Sequence, residues 1–139
     1  MGLDNGIILK INNKEKFGVL PPFAANFDSY EEDTIDLLYW RKCWNIRNVI
    51  FNVLEKAGVD TVSDCSKDMP MTLDTFIDLL YKLNDCYTNE WWTENSDSIW
   101  DFDEINGNYH YHLLNAMRMA QWLEDKDPDS YEISFYDSY

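Results

Sequence analysis

Apolar positions along the chain follow two rhythms. Gly6-Ile7-Ile8-Leu9-Lys10-Ile11 is a β-branched run set off by Asn5 ahead of it and Asn12-Asn13 behind it, which predicts a strand. Near the other end, Tyr131, Ile133 and Phe135 alternate with Glu132, Ser134 and Tyr136, the two-residue period of a strand with one face on a core. The natural partner of that strand is residues 6–11, which ties the two chain ends together.

Between them, spacings of three and four dominate. Ile35, Leu38, Tyr39, Cys43, Ile46, Ile50, Val53, Leu54 and Ala57 form a stripe that predicts one long helix, capped near Asp33 or Thr34 and closed at Gly58. A second helix is capped by Thr72 or Asp74 and presents Leu73, Phe76, Ile77, Leu80, Leu83 and Tyr87 on one face. A third runs from about Asn108 to Asp125, with Leu113, Leu114, Met117, Ala120, Trp122 and Leu123 as its stripe, and Asp127-Pro128 ends it. Pro21-Pro22 forbids a helix across residues 14–33, which reads as a connection with a short strand at Phe17–Leu20. Residues 59–71 read as a polar loop closed by Pro70. The pattern predicts an α+β fold: three main helices packed on a small antiparallel sheet that includes both chain termini.

Length and composition sharpen this. A chain of 139 residues is one domain's worth, so residues 1–139 are expected to form a single globular unit. Apolar residues at 45% and aromatics at 16% are too many for intrinsic disorder. No apolar run approaches the ~18 residues of a membrane span, and the N-terminus lacks the basic flank and apolar core of a signal peptide. Cys43, Cys65 and Cys86 are odd in number and lie 22 and 21 residues apart, which matches no metal-binding or redox motif. Reduced thiols in a cytoplasmic protein are the expectation.

Charge changes the picture most. The net charge is −15, which argues against direct nucleic-acid or membrane binding. Residues 1–60 hold 7 basic against 9 acidic side chains, a net of −2, whereas residues 61–139 hold 4 against 17, a net of −13. Between Lys82 and Arg118 there is no Lys or Arg, while Glu90, Glu94, Asp97, Asp101, Asp103 and Glu104 are interleaved with Trp91, Trp92 and Trp100. Aromatic anchors among carboxylates are the composition of a surface for a basic partner. The opposing reading makes the tryptophans core and the carboxylates a solubilising coat. A second cluster, Trp40, Arg41, Trp44 and Arg47, suits a nucleotide, with guanidinium groups holding an anion and an indole stacking a base. The opposing reading pairs Arg41 and Arg47 with internal carboxylates such as Asp36.

Recognised catalytic patterns are missing. Asp101-Phe102-Asp103-Glu104-Ile105-Asn106-Gly107 starts like a calcium loop, but its glycine is one place late and His112 stands where a bidentate glutamate belongs. His110 and His112 have no third ligand at a metal-binding spacing. There is no phosphate loop and no nucleophile elbow. The expectation is a non-enzyme without metal or cofactor.

Met1-Gly2-Leu3-Asp4, Tyr39-Trp40-Arg41-Lys42 and Phe135-Tyr136-Asp137-Ser138-Tyr139 together resemble a loose group of small acidic proteins encoded by phages and prophages. The resemblance covers both ends and the segment near residue 40, and it implies a setting and no catalytic residues. Small acidic accessory proteins of phages are often inhibitors of host defence, anti-CRISPR proteins among them, and many imitate nucleic acid. It implies a phage-encoded inhibitor acting in the host bacterial cytoplasm on a nucleic-acid-binding effector, such as a CRISPR-associated nuclease. The alternative is a nucleotide-sequestering protein built on Trp40, Arg41, Trp44 and Arg47.

Overall fold

The computed structural model describes residues 4–31, 33–41, 44–59, 61, 67–88 and 109–138. Their elements run β1 (Asp4–Ile11), α1 (Lys14–Phe17), a 3-10 turn (Pro22–Asn26), β2 (Asp28–Glu31), β3 (Thr34–Arg41), α2 (Trp44–Lys56), β4 (Lys67–Met71), α3 (Leu73–Thr88), α4 (Tyr109–Leu123), a second 3-10 turn (Pro128–Ser130) and β5 (Tyr131–Ser138). The fold is α+β. Five strands lie in the order β2-β3-β1-β5-β4, and every neighbouring pair is antiparallel.

The two terminal strands pair as their alternation requires. Ile7 faces Phe135, Leu9 faces Ile133 and Ile11 faces Tyr131, so apolar residues meet across the ladder on one side of the sheet. All six are buried, together with Ile46, Ile50 and Leu54 of α2, Phe76, Leu79 and Leu83 of α3, and Leu113, Met119 and Leu123 of α4. These side chains form one continuous cluster, so the three helices cover a single sheet face. On the opposite face the Tyr136 ring lies across Gly6, where a Cβ would stand 2.5 Å from its Cε1. Only a glycine leaves room for the ring to cover the strand there.

Several sequence expectations hold. Thr72 caps α3, its Oγ1 accepting from Thr75 N–H at 3.2 Å. Gly58 closes α2 with a φ of 83°, and Val59 N–H reaches back to the Leu54 carbonyl at 2.9 Å.

Others are corrected. The long helix expected from residue 33 begins only at Trp44, and Thr34–Arg41 is strand β3. The ladder between β1 and β3 slips between Ile7, opposite Leu38, and Ile8, opposite Asp36, leaving Leu37 as an extra residue. That bulge buries Ile35, Leu37 and Leu38 together, which produces the spacing that imitates a helix. No strand forms at Phe17–Leu20: Phe17 ends α1, and residues 18–20 are irregular. Asn13 Oδ1 accepts from Lys16 N–H at 3.2 Å, and Gly18 ends the turn at a φ of 82°. Phe17 is thereby driven fully into the core, edge-on to Trp122 and Tyr131. The polar loop expected at 59–71 contains β4, an edge strand that tolerates Pro70 because an edge position need not donate to a neighbour. Leu114, expected in the apolar stripe of the third helix, is exposed; Ala116 and Met119 fill that stripe instead.

Candidate functional site

The alternation that buries Tyr131, Ile133 and Phe135 continues by one step to Asp137, which is also fully buried. A carboxylate placed there requires partners. Arg47, one turn into α2, supplies a two-pronged ion pair, with Nε to Oδ1 and Nη2 to Oδ2 both at 2.8 Å. Asn5, opposite Asp137 in the ladder, adds Nδ2 to Oδ1 at 2.7 Å. The Arg47 guanidinium also stacks over the Phe51 ring at 4.2 Å, and Phe51 meets Phe135 edge-on at 5.9 Å. A planar fork matched to a carboxylate and laid on an aromatic face is the geometry in which arginine is hardest to replace. Sequence reasoning missed Asn5 and Asp137; extending the two-residue period past Phe135 was the signal that could have found Asp137.

This arrangement redistributes the Trp/Arg cluster. Trp40 and Arg41 close β3 while Trp44 opens α2, so Trp40, Trp44 and Arg47, spaced three and four apart, do not lie on one helix. The side chains of Trp40, Arg41 and Trp44 lie outside the described residues. Arg47 is turned inward and its fork is held by an internal carboxylate, Asp137, as the opposing reading expects.

Glu90, Trp91, Trp92, Glu94, Asp97, Trp100, Asp101, Asp103 and Glu104 lie outside the described residues, between α3 and α4 in the chain. Those helices themselves carry further acids. Asp74, Asp78 and Asp85 are exposed on α3, and Glu124, Asp125 and Asp129 are exposed at and after the end of α4. Two of the four basic side chains of residues 61–139 rest on rings: Arg118 over Phe23 at 4.5 Å and Lys126 over Trp122 at 4.4 Å. Lys126 and Arg118 therefore cover apolar surface as well as carrying charge. The Tyr131 hydroxyl is pushed above its ordinary range, chiefly by burial and further by the charge of Asp74.

Among the described residues, no group of three or more His, Cys, Asp or Glu side chains could hold a metal ion. Among them, too, no helix is long and apolar enough to cross a membrane. No protein-family profile, curated protein or solved structure matches this chain.

Proposed function

We propose that this protein is a non-enzymatic, phage-encoded inhibitor of a host defence effector, of the anti-CRISPR kind, that occupies the effector's basic nucleic-acid-binding surface. The observation that carries this reading is the separation of charge, a net of −13 in residues 61–139 against −2 in residues 1–60. Arg47, which could have offered a cation to an anionic ligand, is held by Asp137, and this weighs against the nucleotide-binding alternative.

In this reading Asp97, Asp101, Asp103 and Glu104, with Glu90 and Glu94, take the place of phosphates, and Trp91, Trp92 and Trp100 supply the buried anchors. Carboxylates presented to Arg and Lys steer encounter and fix register, so association is fast and weakened by salt. The host bacterial cytoplasm is where such an effector acts.

The test begins with a pull-down from a bacterial host lysate and identification of what is retained. Affinity for the retained effector is then measured at low and high salt, for the wild type and for Asp101→Lys/Asp103→Lys. The expectation is a tight, salt-sensitive complex that competes with the effector's nucleic acid and is lost in the double variant, whose melting temperature is retained or raised. An affinity indifferent to salt and to the charge reversal would refute the proposal.

A further inference from the structure

Helices α3 and α4 pack side by side with an open groove of about 120 Å³ between them, lined by Ile77, Leu80 and Tyr81 on one wall and Met117, Ala120 and Gln121 on the other. Of its lining, Leu80 and Ala120 are buried, whereas Tyr81 is 65% exposed. Leu114, in line with Met117 and Gln121 along α4 just beyond that lining, is 46% exposed.

The rim beside this groove is acidic. Asp74, Asp78, Tyr81 and Asp85 recur at steps of four, three and four, so they form one stripe along α3. At 1.5 Å per residue the stripe is roughly 16 Å long, three turns of helix. Glu124 stands at one end of the groove, on the opposite wall. Lys82, four residues after Asp78 and three before Asp85, borders the stripe on the side away from the groove, and Arg118 is turned away to cover Phe23, so neither lines the groove.

We infer that the α3–α4 groove docks a basic amphipathic helix of a protein partner, with an apolar side chain seated against Tyr81 and Met117 and Lys or Arg side chains along the Asp74–Asp78–Asp85 rim. A largely apolar groove between two helices can accept a third helix by its own stripe of residues three and four apart. The rim charge selects the sign. A second copy of this chain would bring its own −15 to the contact, and a nucleic acid would bring phosphates. This surface lies on described helices and does not depend on the inhibitor reading, which rests on residues 90–104.

The probe is a fluorescein-labelled Lys/Leu amphipathic helical peptide, with a Glu/Leu peptide of the same pattern for comparison, measured by polarisation. The wild type should bind the Lys/Leu peptide and not the Glu/Leu peptide. Tyr81→Ala should weaken binding by about tenfold, as loss of a central aromatic anchor does. Asp74→Lys/Asp78→Lys should weaken it at least as much, whereas Asp68→Lys/Glu132→Lys should leave it within about twofold. Asp68 and Glu132 are exposed on the sheet face away from the helices, so this second pair makes the same charge change elsewhere. Equal weakening by the two lysine pairs would mean diffuse attraction to an acidic protein and would overturn the proposal. So would an unaffected Tyr81→Ala variant, an absence of binding, or a wild-type dimer in sedimentation that Tyr81→Ala breaks. Tyr81, Asp74 and Asp78 are all exposed, and a thermal melt that is not lowered in any variant confines the loss to binding.

Discussion

Asp137 is a charged residue at a position where the alternation of its strand calls for an apolar one, and bonds from Arg47 and Asn5 make that placement tolerable. The Arg47 side chain is itself only 14% exposed, so the pair is well shielded from water. Shielding cuts both ways, since it strengthens the attraction and raises the cost of leaving either partner alone. Arg47→Met should therefore destabilise the protein by about 3–5 kcal/mol, because it leaves a buried carboxylate without its cation. Adding Asp137→Asn removes the charge and keeps an acceptor for Asn5, so the double variant should recover most of that loss. Urea denaturation of the wild type, both single variants and the double variant measures the coupling. No recovery would mean that Arg47 stabilises through its stacking on Phe51, with the ion pair a bystander. At this scale a sequence is read poorly, because pairing of residues 90 positions apart depends on a ladder register that composition does not contain.

Elements whose apolar period was unmixed were legible. The pairing of residues 6–11 with the strand at 131–136 followed from two clean patterns, and so did α3 and α4 to within about a residue or two. The error at 34–41 has a physical cause. A bulge at Leu37 shifts the alternation by one, so Ile35 and Leu38 face the same core with the spacing of a helix, and α2 then continues the stripe. The strand at β4 was hidden by Pro70, a residue that argues against an interior strand and only weakly against an edge. Its edge position gives that proline a further consequence. An edge exposes unpaired backbone donors, and a proline removes one of them. Pro70→Thr should leave the melting temperature within a degree or two, since residue 70 is exposed. The variant should nevertheless self-associate more readily than the wild type in sedimentation at high protein concentration, with salt present to screen repulsion between copies. A variant that associates no more than the wild type would mean that the proline plays no part in guarding this edge.

For the whole molecule, charge is the dominant property and also the one a sequence locates least well. Periods of two and 3.6 carry direction, so they say which side chains point inward; a run of carboxylates carries none. The candidate interface at residues 90–104 was therefore legible as composition, while the buried role of Arg47 and the groove beside Tyr81 needed the fold. The same arithmetic has a thermodynamic consequence. A folded chain of this length has a radius of gyration of roughly 14 Å. The screening length is about 30 Å at 0.01 M salt and about 8 Å at 0.15 M. At the lower salt every carboxylate feels most of the others, and the compact state holds them closer together than the unfolded chain does. Among the described residues, the Lys16–Asp127 pair is loose at 3.7 Å with both side chains partly in water, and the Arg47–Asp137 pair is too well buried to be screened much. The melting temperature should accordingly rise by several degrees between 0.01 and 0.15 M sodium chloride, where ~1 kcal/mol corresponds to about 4 °C for a domain of this size. Replacing Asp74 and Asp78 by Asn should raise the low-salt value and shrink the increment, because part of the repulsion is then already gone. Calorimetry of both proteins across that range decides it, and a melting temperature that falls with added salt would show that attractive pairs outweigh the excess negative charge.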